Sequence, residues 1–132
     1  MSRFLDQLAR RSGQFEDLLL ARGAIYFSAG KIDLAITEFA EAISIYPGLH
    51  LAHYNLGIAL GAKARYAEAA EALQRALAVD PTHSQTHFHL ALALKAANRT
   101  EEAREGLRAL NLIDAEMAGD LAALIGMENA LQ

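Results

Sequence analysis

The chain contains two prolines, Pro47 and Pro81, and they stand 34 residues apart. Proline ends a helix, because it lacks the amide donor and its ring clashes with the preceding turn. A fixed interval between prolines, in a chain otherwise rich in Ala, Leu, Glu and Arg, sets a repeating helical unit. Three registers of that length, 16–49, 50–83 and 84–117, align Gly23 with Gly57 and Ala91, and Ala35 with Ala69 and Ala103. They also align large residues: Tyr26 with Leu60 and Leu94, Phe39 with Leu73 and Leu107, Ile45 with Val79 and Ile113.

Within each register the apolar residues follow the i, i+3, i+4, i+7 rule twice, and strand signals are absent. In the second register Leu56, Ala59 and Leu60 share one face, and Ala69, Ala72, Leu73, Ala76 and Leu77 share another beyond the charged break at Lys63 to Arg65. Each register therefore predicts a helical hairpin. Gly30-Lys31, Ala64-Arg65 and Asn98-Arg99 mark the turns inside the hairpins, and Pro47-Gly48 and Asp80-Pro81-Thr82 those between them. No such hairpin buries its apolar face alone, so stacking is required and the last pair needs a cap. Residues 116–131 fit that need, with Met117, Leu121, Leu124 and Ile125 at helical spacing. The expectation is an all-α chain.

These residues resemble the tetratricopeptide repeat, whose 34-residue unit carries small residues at positions 8, 20 and 27, large ones at 11 and 24, and proline at 32. The first unit supplies Leu19, Gly23, Tyr26, Ala35, Phe39, Ala42 and Pro47; the second supplies Leu56, Gly57, Leu60, Ala69, Leu73, Ala76 and Pro81. The third departs from the pattern with Ala91 for the glycine, Leu110 for an alanine and Ala115 for the proline. The resemblance implies a right-handed α-α superhelix of three hairpins with a capping helix at 116–131. An amphipathic segment at residues 1–12, containing Phe4, Leu5 and Leu8, is expected to dock on the first unit, where Arg22 replaces the usual apolar residue on a side that meets water or that segment.

The resemblance also implies that the first helix of each unit lines a concave groove where a protein segment binds. Carried onto this chain, the lining is Leu20, Ala24, Phe27, Leu51, Tyr54, Asn55, Ile58, Gln85, Phe88, His89 and Leu92, and most of it is apolar. Tyr54, Phe88 and Leu20 are the expected anchors, while Asn55, Gln85 and His89 set the partner's register. One branch of the family grips the carboxyl ends of chaperones through Lys, Arg and Asn side chains. At those positions stand Leu20, Ala24, Asn55, Gln85 and His89, so only Asn55 is retained. A carboxylate needs charge-assisted donors, and the expected partner is instead an apolar or amphipathic protein segment. The other occupants of such a groove are the chain's own residues 1–12 or a second copy, which makes a self-assembling homo-oligomer the alternative; a secretion-type chaperone is a further analogy of fold.

The five histidines form two groups, His50 with His53 and His83 with His87 and His89, and the 83/87 pair has a spacing that can ligate a metal. Because His53 and His87 share one repeat position, packing accounts for their recurrence, and no metal or other cofactor is expected. For catalysis the chain offers no nucleophile beside a base and no paired carboxylates in an apolar setting. The run Glu101, Glu102, Arg104, Glu105, Arg108 reads as a solvated helix face. A non-enzymatic interaction module is the expected function.

Composition narrows the classes further. Lys plus Arg number 12 against 16 for Asp plus Glu, a balance that does not suit neutralisation of nucleic-acid phosphates. With no cysteine there is no disulfide, thiolate nucleophile or iron–sulfur ligand set. Charges interrupt every apolar stretch before the roughly 18 residues that a bilayer requires, so no transmembrane segment is expected. The first twelve residues lack the apolar core of a secretory signal, and a cytoplasmic location is the expectation.

Overall fold

The computed structural model describes residues 12–132. Seven α-helices follow one another there: α1 Ser12–Ser28, α2 Ile32–Ile45, α3 His50–Ala62, α4 Tyr66–Val79, α5 Ser84–Ala96, α6 Thr100–Ile113 and α7 Ala115–Ile125, with a short 3-10 turn at Glu128–Leu131. The described residues contain no strand. Helices α1/α2, α3/α4 and α5/α6 pair as hairpins, each hairpin packs on the next, and α7 covers α6 and part of α5. Residues 1–11, and with them the expected docking of the amphipathic segment, lie outside the described residues.

The three hairpin turns are built alike. Gly30, Ala64 and Asn98 adopt left-handed backbone, with φ of 79°, 59° and 63°. The next amide in each turn reaches back five residues, from Lys31 to the Tyr26 carbonyl, Arg65 to Leu60 and Arg99 to Leu94, at 2.8, 2.9 and 2.8 Å. This satisfies carbonyls that the ending helix leaves open. Arg65 and Arg99 then each grip the Glu three residues on, Glu68 and Glu102, with two hydrogen bonds. The inter-hairpin turns repeat as well: His53 Nε2 lies 2.7 Å from the Pro47 carbonyl, and His87 Nε2 lies 2.8 Å from that of Pro81. A carbonyl only accepts, so both rings donate from Nε2, and the recurrence of histidine at one repeat position is a turn device.

Glycine sets the approach of the two helices in the first two hairpins. A Cβ on Gly23 would stand 2.3 Å from the Phe39 ring, and one on Gly57 would stand 2.6 Å from Leu73 Cγ. In the third hairpin Ala91 takes this place and is fully buried, with Gly106 of α6 beside it; a Cβ on Gly106 would meet Ala91 Cβ at an ordinary 3.5 Å. Two opposite outcomes follow. Gly57→Ala is expected to lower stability by about 1 to 3 kcal/mol through overpacking. Gly106→Ala is expected to raise it by up to about 1 kcal/mol through helix propensity, both read from urea midpoints at unchanged slope.

The core is uneven along the chain. One large cluster runs from Leu60 through Leu73, Leu90, Leu94, Leu107, Leu110 and Leu121 to Ala130. The first hairpin contributes two small ones, Leu19 with Ala42 and Ala52, and Ala35 with Phe39 and Ala59.

Several local expectations are corrected. Arg22 does not simply face water: its Nη2 donates to Glu38 Oε1 at 2.9 Å, and Glu38 is buried at 8% exposure. The capping helix ends at Ile125 rather than running to 131, because Gly126 turns left-handed at φ 70° and the 3-10 turn follows. Leu124, expected on the covered side, is 69% exposed. The buried stripe of α7 is centred on Ala118, Leu121, Ala122 and Ile125, whose small members let α7 lie close, and Leu124 falls beyond its edge. The departures in the third unit also have a structural outcome. Without proline, the turn between α6 and α7 shrinks to Asp114, which ends one helix and caps the next by accepting from the Met117 amide at 3.0 Å. Arg108 is exposed, as a solvated face requires, and its Nε also donates to the Ala130 carbonyl at 3.3 Å, holding the 3-10 turn.

Candidate functional site

The first helices of the hairpins, α1, α3 and α5, follow one another along one face, and α7 continues it. Three hollows open there. The first, about 260 Å³, lies between α1 and α3 and is lined by Ala24, Phe27, Ser28, Tyr54, Asn55 and Ile58, with Phe39 behind and His89 at its side. The second, about 250 Å³, lies between α3 and α5 and shares Phe27, Ile58 and His89 with the first, adding Leu92, Tyr66 and the floor of Gly57 and Leu73. The third, about 370 Å³, lies between α5 and α7, where Phe88 and Met117 meet Asp114, Glu116 and Asp120. Glycine helps to form this relief, since Gly57 and Gly61 leave α3 without side chains beside the second hollow.

The residues expected to line a groove are distributed unevenly over these hollows. Ala24, Phe27, Tyr54, Asn55, Ile58, His89 and Leu92 line the first two, and Phe88 lines the third. Leu20 instead packs against the small core clusters of the first hairpin. Leu51, 49% exposed, and the exposed Gln85 line none of the three. Sequence reasoning passed over Ser28, Ala62, Tyr66 and Met117 as groove residues; the first three sit at helix ends, and Met117 lies at the end of the third register, in the capping helix.

The first two hollows are apolar with sparse polar groups, whereas the third carries the carboxylates Asp114, Glu116 and Asp120. No Lys or Arg lines any of the three hollows. Burial pushes the His89 imidazole below its ordinary value of 6.5, so at neutral pH it brings no positive charge to the groove. Burial also raises the Tyr54 phenol, which stays protonated.

Aromatic rings cluster between the second and third hairpins. The Tyr54 ring meets His83 edge-on at 5.1 Å and His89 at 5.7 Å, and His50 lies 4.7 Å from His83. Beneath them Thr86 is fully buried, with its Oγ1 2.6 Å from His83 Nδ1 and 3.3 Å from His50 Nε2. The Thr86 amide stands 3.2 Å from the same His83 Nδ1. A backbone N–H only donates, so His83 Nδ1 is the acceptor and caps α5. The 83/87 pair thus has these nitrogens engaged elsewhere, His83 with Thr86 and His87 with Pro81. Among the described residues no group of three or more His, Asp or Glu is placed to hold a metal ion. None of the described helices is long and apolar enough to cross a membrane.

A family model described as a tetratricopeptide repeat matches residues 60–127, and a second, described as a TPR repeat, matches residues 23–64. No curated protein matches the chain in sequence. Among solved structures, the first TPR of Spaghetti (RPAP3), bound to the HSP90 peptide SRMEEVD, superposes with a TM-score of 0.81 at 21% identity, over 89% of this chain and 94% of that one. The Sgt2 TPR domain from Aspergillus fumigatus gives 0.76 at 24% identity over 87% and 76%. MamA gives 0.76 at 20% identity over 96% and 77%. These likenesses show the fold.

Proposed function

The chain belongs to the tetratricopeptide repeat family, and on that premise we propose that it is a non-enzymatic module that holds an apolar or amphipathic protein segment in the groove along α1, α3, α5 and α7. One observation carries this reading. The first two hollows lie side by side, share Phe27, Ile58 and His89, and form a mostly apolar trough that the described residues leave open to solvent. Water in such a trough is released when apolar side chains replace it. Asn55 and Ser28 supply sparse polar contacts at the rim, in the manner of sites where apolar area gives affinity and a few polar groups fix orientation.

The family resemblance alone does not set the ligand chemistry here. The first TPR of Spaghetti (RPAP3) is bound to the acidic peptide SRMEEVD, but among the described residues no Lys or Arg lines the trough to meet a carboxylate. Calorimetric titration with two synthetic peptides tests the reading. SRMEEVD is expected not to bind. A helix-forming peptide with leucines at i, i+3, i+4 and i+7 is expected to bind in the micromolar range, about −8 kcal/mol. Binding of the acidic peptide with none of the leucine peptide would overturn the proposal.

A second reading, self-association, is favoured by large apolar side chains exposed on the two outermost helices: Ile25 at 66% and Leu18 at 52% on α1, and Leu124 at 69% on α7. Light scattering distinguishes it, since a monomer at high concentration removes it.

A further inference from the structure

We propose that the groove is electrically polarised, and that the protein segment it takes is apolar over the first two hollows and carries arginine or lysine at the end that reaches α7. This rests on the groove reading above and adds the charge pattern of the partner. The third hollow carries it. Phe88 and Met117, both partly buried against the large core cluster, form its walls, and Asp114, Glu116 and Asp120 surround them. Apolar walls of this kind take the aliphatic stem of a long cationic side chain, and carboxylates meet its charged head. The Phe88 ring meets the His89 ring at 5.2 Å, so the third hollow adjoins the trough across α5.

The helix register puts these groups on the same side as the rest of the groove. Asn55, His89 and Asp120 are each the sixth residue of their helix, and Leu51, Gln85 and Glu116 each the second. The fifth position holds Tyr54 in α3 and Phe88 in α5, but Gly119 in α7. Glycine inside a helix costs stability, and no neighbour demands this one, since a Cβ on it would meet nothing within 4 Å. With no ring there, α7 leaves its side of the hollow uncovered.

The chain's own needs explain two of the three carboxylates. Asp114 caps α7 by accepting from the Met117 amide, and Glu116 stands in the first turn, where the helix dipole favours negative charge. Asp120 lies a turn further on, beyond that effect. Among the described residues no Lys or Arg forms an ion pair with any of the three. Like charges around one hollow repel, and a cation from outside relieves them. Because no Asp, Glu, Lys or Arg lines the first two hollows, only one end of a bound segment gains from that cation, which fixes its direction.

The test is calorimetric titration of the full chain with three helix-forming peptides that share the leucines at i, i+3, i+4 and i+7 and differ at their ends. One has neutral ends, one an arginine pair at each end, and one a glutamate pair at each end. In low salt the arginine peptide is expected to bind roughly fivefold tighter than the neutral one, the return from one or two partly covered ion pairs, and the glutamate peptide more weakly than either. The advantage should shrink in about 1 M salt, where charges are screened within about 3 Å. In a chain carrying both Glu116→Gln and Asp120→Asn, with the capping Asp114 kept, the arginine and neutral peptides are expected to agree within about twofold. Equal binding of all three peptides by the native chain would overturn this inference alone, as would an arginine advantage that survives in the folded double variant. Failure of all three to bind would overturn the groove reading, and this inference with it.

Discussion

Leu73→Ala is expected to remove about 3 to 5 kcal/mol of stability, the upper part of the range for leucine truncation in a core that cannot collapse. Leu73 is 1% exposed in the middle of the large cluster. Its neighbours cannot close over the gap, because Gly57 opposite has no side chain to advance and the second hollow opens directly above. Against a typical total of about 5 to 15 kcal/mol, the variant is marginal or unfolded near 37 °C, as thermal and urea unfolding would show.

The same geometry makes a sharper prediction about the pair. A Cβ on Gly57 collides with Leu73 Cγ at 2.6 Å, but once Leu73 is alanine that methyl enters the vacated space. Gly57→Ala is therefore expected to change sign, from destabilising in the native chain to neutral or stabilising in Leu73→Ala. The coupling expected in such a double-mutant cycle is about 1 to 3 kcal/mol. Additive costs would mean that the two helices do not approach as described.

Ile58→Glu is expected to weaken binding of the leucine peptide at least roughly 100-fold, because a carboxylate that stays ionised cannot enter an apolar contact without losing its water. Ile58 lies at the junction of the first two hollows, so the charge spoils both. The fold should survive, since α3 is anchored by Ala52, His53, Gly57, Ala59 and Leu60, all buried, while Ile58 is only partly covered. Ile58→Val should bind nearly as well as the native chain. Undiminished binding by a folded Ile58→Glu would remove the trough as the site.

Ile58 is a better probe than Tyr54, which the sequence marks as an anchor, and the difference shows where sequence reasoning reaches its limit. The 34-residue period places the hairpins, the close approaches at Gly23 and Gly57 and the turn residues Gly30, Ala64 and Asn98, because each depends on local steric needs that recur with the repeat. The position of Tyr54 recurs as Leu20 and Phe88, but its ring contacts do not. Its packing against His83 and His89 joins residues 29 and 35 positions apart, and the bond between His50 and Thr86 spans 36. The pairings with His89 and Thr86 cross from one register to the next, and that with His83 joins the two ends of one register, so none follows from the repeat position alone. The burial of Glu38 beneath Arg22 is hidden for a similar reason, since a charge at a packing position reads as exposed until its partner on the other helix is known.

The division of the core bears on how the chain comes to be folded. The first hairpin leaves the ribosome before the rest, yet its two clusters are completed by Ala52 and Ala59 of the next helix, and the large cluster closes only with Ala130. Most contacts join neighbouring helices, which favours rapid folding once the pieces are present. Among the described residues, then, both small clusters need a residue of α3 to be complete. Each hairpin is thus closed by the helix that follows it, and a truncation before the cap uncovers the end of the large cluster at Leu107 and Leu110.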